Sequence, residues 1–479
     1  MHTNRNVGTS RLVSALLGAS ALTIGLGGLS APLLAQTATA AAAPVDGAQQ
    51  VSEATNDSGL ADIVVTARKI AENLQTVPIS ITVFTGDQLT EQNAMSIRDV
   101  ANFTPGFTAR QSPSNPTGFI LDIRGQIQTD ILATLDPSVG TYVDGVNWAR
   151  AYGLNADLLD IQNFQVLKGP QGTLFGRNTT GGALVITTND PSMRGATVDA
   201  SFTYGNYNTQ IATGVVNLPI IPDFLAIRGA LLYAHRDGIV TDNVAGTKYD
   251  ERDTLQGRVK ALFEVDDFHM ILSGEWFDYS SNGPSRIAQV YRTGPNNPPF
   301  AFTARIYTQI FPIPGQTIDS YIASTEADFD TVAINQPIST DVTTQTYNAT
   351  LWYDTSFGQI KFITGTRQVS SVASVDLDGS QYKVHTTTGT QDLSQYSAEL
   401  QVTGRAFNDS VDFALGALYF TESGFDSSTS IVVPNLNPNT SSFFGQIDNV
   451  SKGIYGQATW RFWKGLAFTG GLRYSDESK

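Results

Sequence analysis

The residues of this chain best placed for chemistry lie between Leu158 and Pro191, in LLDIQNFQVLKGPQGTLFGRNTTGGALVITTNDP. Gly169, Gly172, Gly176, Gly181 and Gly182 crowd behind Lys168, a density that could cradle a phosphate. A phosphate-binding loop, however, needs Gly-x-x-x-x-Gly-Lys followed by Ser or Thr, so that main-chain N–H groups and the lysine converge on the anion. Here the lysine precedes the glycines, and a nucleotide site is excluded. The glycines instead mark places where the chain turns tightly or approaches another backbone closely. Other chemistry is scarcer still. The chain has no cysteine, which removes thiolate nucleophiles, thiolate metal sites and disulfides. His2, His235, His269 and His385 lie on separate segments without metal-ligand spacing, and no Gly-x-Ser-x-Gly elbow occurs. Neither an enzyme nor a cofactor nor a resident metal is expected.

The elements that must position these residues are β-rich. Phe164, Val166 and Leu167 alternate into a short strand, Gly169-Pro170-Gln171-Gly172 is expected to reverse it, and Ala183 to Thr188 forms a second strand. Upstream, Thr76 to Phe84 reads as a strand, Gln88 to Asn102 as one or two short amphipathic helices, and Phe119 to Gly125 and Val139 to Val146 as alternating strands. The second of these turns at Asp144-Gly145.

The amino terminus carries Arg5 and Arg11 ahead of an apolar, small-residue run from Leu12 to Leu34 that meets Ala35-Gln36. This is the pattern of a secretory signal peptide; a spanning helix of that length would be weakened by Gly25, Gly27, Gly28 and Pro32. Residues 36–60 are low in complexity and read as a disordered linker. Asp62-Ile63-Val64-Val65-Thr66-Ala67 then breaks in as an adhesive strand that wants a sheet partner. The alternative is that it is the first strand of the domain that follows.

After Pro191 the texture changes to long strands of strict alternation. Leu255, Val259, Ala261 and Phe263 oppose Gln256, Arg258, Lys260 and Glu264; Tyr396, Ala398, Leu400 and Val402 oppose Gln395, Ser397, Glu399 and Gln401. Apolar-out, polar-in alternation suits a membrane barrel with a wet lumen, and His269 fits as one lumen-facing polar residue among many. Connections alternate in length: Asp266-Asp267, Thr355 to Phe357 and Lys464-Gly465 are tight, whereas Ser280 to Val342 and Ser423 to Val450 are expected to be long polar loops. Within the first of these, the acidic stretch Glu326 to Asp330 reads as a solvated cluster. Trp276, Trp352, Tyr353, Trp460 and Trp463 lie near strand ends, as interface girdles require, and would equally serve as ordinary β formers. A net charge of -15 argues against a nucleic-acid partner.

The stretch VLKGPQGTLFGRNTTGGALVITT closely resembles the segment that ends the plug domain of TonB-dependent outer-membrane receptors, and FILDIRG and VGTYVDGV resemble other plug motifs of that family. Residues 62–67 are similar to its TonB box, and GGLRYSDESK to one of its mid-barrel strands. The resemblance implies an α+β plug domain followed by a transmembrane antiparallel β-barrel, truncated at about half its strands. About eleven strands are countable after residue 196, against about twenty-two for a plugged transporter. An open, curved sheet is expected, with the strands near Thr197 and Leu472 lacking outer neighbours. The chain divides into a signal peptide (1–35), a periplasmic linker (36–60), a TonB box (61–69), a plug (70–191) and a partial barrel (192–479).

The resemblance also implies export through a cleaved signal to the bacterial outer membrane, contact with outer-membrane lipid, and coupling to TonB of the inner-membrane energy-transducing complex through Asp62 to Ala67. The cargo implied is a scarce small-molecule nutrient, a ferric siderophore first, with other metal chelates, vitamin B12, haem or an oligosaccharide as alternatives; a signalling receptor or passive channel would share the architecture. Arg124, beside Gly125, sits where the family places an arginine facing the barrel wall, the alternative being a solvated arginine at a strand end, and Arg124 and Lys168 are expected to meet the lumen-facing Glu399 and Glu477.

Overall fold

The computed structural model describes residues 64–479 apart from 66–67, 71, 76, 113–114, 243–244, 284–329, 333, 335, 378–384 and 433–438. The signal peptide and linker, Asp62, Ile63, Thr66, Ala67 and all but the last residue of the acidic stretch lie outside the described residues.

Residues up to Pro191 build the expected α+β domain. Its five-stranded sheet runs in the order Ile81–Thr85, Ile161–Lys168, Gly182–Thr188, Val139–Val143, Val146–Trp148. One ladder in it is parallel, joining Gly182–Thr188 to Val139–Val143. A smaller sheet joins Phe107–Gln111, Phe119–Ile123 and Gln126–Ile127. Two short helices, Gly86–Glu91 and Ile97–Asn102, start at capping boxes in which Thr85 and Ser96 exchange hydrogen bonds with Gln88 and Asp99. Helices this short are marginal alone; burial of Leu89, Ile97 and Val100 against Phe84, Phe164 and Leu184 holds them in place.

The chain reversal expected at Gly169 to Gly172 is longer than that. Lys168 pairs with Gly182, and the intervening loop is drawn together by main-chain bonds from Gly169 to Gly181 and from Gln171 to Thr179. Gly182 has φ +152°, and a Cβ there would lie 2.2 Å from the Leu167 carbonyl oxygen. Gly182→Ala is therefore expected to destabilise the plug by about 1–3 kcal/mol or more, read as earlier urea unfolding; an unchanged midpoint would remove the close-approach role.

From Thr197 onward eleven antiparallel strands form one sheet in consecutive order. Its first strand is Thr197–Gly205 and its last Leu466–Ser478, and neither has an outer neighbour in that sheet among the described residues. The open sheet anticipated from the strand count is thus what forms. A separate three-stranded sheet, Val240–Asp242, Lys248–Tyr249 and Thr331–Val332, stands at the loop end. No helix among the described residues is long and apolar enough to cross a membrane, which says nothing of crossing by strands.

Alternation sorts the sheet's faces as expected. Leu255, Val259, Tyr396 and Leu400 are exposed, whereas Gln256, Arg258, Lys260, Gln395, Glu399 and Gln401 are buried. The polar face is buried because the plug packs against it. Two expectations are corrected here. Most of Ser423 to Val450 is strand, not loop: Val411–Val432 and Asn439–Trp463 run on in register to the pair Val432 and Asn439. Their 22 and 25 residues exceed the 9–11 or so that cross a bilayer, so polar residues such as Ser427 and Ser428 extend the ladder beyond the apolar band. Trp352 is not a girdle residue; it lies on the inner face, stacked on His269 with ring centroids 4.9 Å apart.

Candidate functional site at the plug and sheet interface

The segment expected to couple the chain to a partner does not stand free. Val64–Val65 pairs antiparallel with Glu72–Asn73, and Val65 is fully buried. The turn between them carries two basic residues. Arg68 forms an ion pair with Glu72 and donates to Thr459 Oγ1 of the sheet at 2.9 Å. Lys69, held at φ +63°, reaches Glu399 Oε2 at 3.2 Å. Its ammonium also stands 4.9 Å from the Phe175 ring centroid and 5.6 Å from that of Tyr142, both plug residues. Glu399 is completed by Tyr455, whose hydroxyl donates to Oε1 at 2.5 Å. Arg68 and Lys69 thereby tie the segment after Val64–Val65 to both plug and sheet. Their basic character was visible in the sequence, but their partners on the sheet lie 391 residues from Arg68 and 330 from Lys69.

Arg124 and Lys168 do not reach Glu399 or Glu477. Arg124 is exposed and donates to Ser80 Oγ at 2.8 Å. Lys168 has Arg124 as its charged neighbour, and burial together with that like charge lowers its pKa below the ordinary lysine range. The reason is local: Arg124 occupies a left-handed turn position, φ +56°, before Gly125 at +79°, which sends its side chain to the plug's exposed flank. Glu399 does face inward as its parity implied, but toward Lys69; Glu477 is exposed and accepts from Ser451 at 3.3 Å. Gly169 and Gly176 have φ +101° and +84°. Gly181 makes a close approach, its notional Cβ lying 2.7 Å from that of Gln126. Gly172 does neither: its nearest contact would be at an ordinary 3.9 Å.

The charged contacts that do dock the plug mostly run the other way, with cations on the sheet and carboxylates on the plug. Arg228 binds Asp160 through two nitrogens at 2.7 Å each. Lys260 meets Asp190 at 2.8 Å and Asp144 at 3.2 Å, and Arg252 pairs with Asp157. The exception is Arg150 of the plug, whose Nε and a terminal nitrogen donate to the two oxygens of Glu422 at 2.8 and 2.7 Å, all of it buried. Inward parity had already picked out Arg258 and Lys260; only their partners were unreadable. At the loop end His235 stands between Asp253 at 2.7 Å and Asp237 at 3.1 Å, so that residue does gather carboxylates the linear spacing concealed.

These contacts set a pH dependence. Burial pushes the Asp144 carboxyl up, but the Lys260 and Arg258 charges and two hydrogen bonds from Thr188, at 2.8 and 2.7 Å, hold it below its ordinary value. A carboxyl lowered in the folded state contributes stability above the unfolded pKa, about 4, and loses it as pH falls through the folded value. Plug docking is expected to weaken progressively below about pH 5, read as rising protease sensitivity of the plug. Asp144→Asn should be weaker at neutral pH and show a shallower acid limb; an unchanged limb would remove Asp144 from the effect.

Residues 73–183 match the TonB-dependent Receptor Plug Domain family. The pesticin receptor of Yersinia pestis is 29% identical over 169 residues, 35% of this chain and 22% of that protein. The vitamin B12 transporter BtuB of Vibrio vulnificus is 30% identical over 154 residues, 32% of this chain and 23% of that protein. Among solved structures, the ferric yersiniabactin uptake receptor FyuA from Yersinia pestis superposes with a TM-score of 0.66 at 18% identity, covering 83% of this chain and 56% of that one. The chain thus spans less than two thirds of the length of each. It carries the plug domain of the TonB-dependent receptors, followed by the antiparallel barrel sheet of that fold.

Proposed function

We propose that this chain serves TonB-dependent uptake of a ferric siderophore-type chelate across the bacterial outer membrane, with residues 62–67 as the segment that TonB grips and residues 70–191 as the gate. The observation that carries the reading is the wiring of Arg68 and Lys69: whatever draws the preceding strand away acts directly on Glu399 of the sheet and on the Tyr142 and Phe175 rings of the plug. A passive channel would not need this linkage. FyuA is named for a ferric chelate, which favours iron cargo, while BtuB is named for vitamin B12 and supplies the alternative.

The test is uptake of radioactive iron, presented as a panel of ferric siderophores, by cells producing the complete protein. Uptake of at least one chelate is expected to vanish when TonB is removed, with surface binding intact. Uptake that persists without TonB would sink the reading, and uptake of cobalamin alone would move the cargo to the alternative.

A further inference from the structure

Between the plug and the inner face of the sheet lies a cavity of about 360 Å³, within the size range of small-molecule sites. It sits toward the short-turn end, since Gln359 and Lys361 follow the turn that starts the strand Gly358–Asp376, and Trp352 precedes it. This is the end of the sheet opposite the pair Val432 and Asn439.

Three lysines border the space, and two are satisfied. Lys260 binds Asp190 and Asp144, and Lys69 binds Glu399. Lys361 has no ion pair or hydrogen bond among the described residues; its ammonium stands 6.0 Å from the Trp352 ring centroid, and Asp190 and Asp354 act on it only at longer range. Two further polar groups lining the same cavity are buried without partners: the amide nitrogen of Gln401, a residue 4% exposed, and the amide oxygen of Asn348. The wall is apolar where Tyr142 and Phe175 of the plug line it and at Ile363, two residues along the strand from Lys361. Leaving a buried donor unmatched costs about 1–3 kcal/mol. A cation and an amide donor converge on one space that also offers an apolar wall. That combination accepts an anionic head on a compact apolar body.

We propose that this cavity is a binding site for a small organic monoanion with an apolar body, held by Lys361 and Gln401 and packed against Phe175 and Ile363. The inference goes beyond the uptake reading, because it concerns a site at the short-turn end and needs neither TonB nor iron. Lys69 forms part of its wall and also borders a smaller cavity lined by Glu399, so occupancy is sensed next to the residue that ties down the coupling segment.

The test uses the full chain in non-ionic detergent with 4-fluorobenzoate as probe, followed by fluorine NMR, and neutral 4-fluorobenzamide as control. Saturable binding of the anion is expected and none of the amide. Lys361→Gln should weaken binding by about 10- to 100-fold, the worth of a hydrogen bond to a charged group. Lys361→Arg should retain most of it, and Gln401→Leu should weaken it less than Lys361→Gln does. Circular dichroism of each variant confirms the sheet. The proposal is overturned if the native chain shows no saturable binding, which would make the space a water-filled cavity only. It is equally overturned if the amide binds as well as the anion, or if a folded Lys361→Gln chain binds undiminished. None of these outcomes bears on TonB-dependent uptake, so the two readings fail separately.

Discussion

Replacing Glu422 with alanine is expected to loosen the plug from the sheet by about 3–5 kcal/mol, the usual cost of removing one partner of a buried ion pair. Arg150 is 4% exposed and Glu422 2%. Glu422 takes two guanidinium bonds from Arg150 and a third, at 3.0 Å, from Asn449 Nδ2. After truncation the guanidinium keeps the Leu135 carbonyl and Asp136 at 3.5 Å, which soften the loss without replacing the bidentate contact. The double change Arg150→Met with Glu422→Leu should recover much of the stability, because desolvation offsets most of the Coulomb attraction in the native pair. Urea-dependent protease cleavage of the plug measures both. If Glu422→Ala leaves the cleavage midpoint where it was, or if the double variant is no better than the single, the pair is not what docks the plug.

Val65→Pro in the complete protein should abolish energy-dependent uptake while surface binding of cargo persists. In the structure Val64–Val65 is held by a two-residue ladder, which at about 0.5–1.5 kcal/mol per net hydrogen bond is weak enough to exchange for a longer strand offered by a partner. Proline removes a main-chain donor from the strand that must make that exchange. Val65→Ala separates the effects: it keeps the donor but loses the buried side chain, so it should retain uptake. Uptake surviving Val65→Pro would dismiss residues 62–67 as the coupling strand, and equal loss in both variants would assign Val65 to plug packing instead.

How far each of these sites could be read from the sequence depends on the range of the interactions that make it. Periodicity and turn chemistry are local, so most of the plug strands, the helical stretch within Gln88 to Asn102 and the Asp144-Gly145 turn were legible, as was the inward parity of Glu399, Gln401, Arg258 and Lys260; the strand Phe107–Gln111 was not. Parity follows from a two-residue repeat that no distant contact can alter without bringing a slipped register. Strand length was less legible at Ser423 to Val450, because polar residues extend a ladder above the apolar band as readily as they make a loop.

What the sequence by itself determined is therefore the class of fold, the order of its parts and which side chains face inward. The tertiary structure alone decided who meets whom. Arg124 and Lys168 were expected at the wall from the family resemblance, yet a left-handed turn places Arg124 on an exposed flank beside Lys168, and Lys69 takes Glu399 in their place. Pairing across the interface depends on the rotation and depth at which the plug docks, quantities that sum over every contact between two surfaces and leave no mark on the spacing of residues within either one.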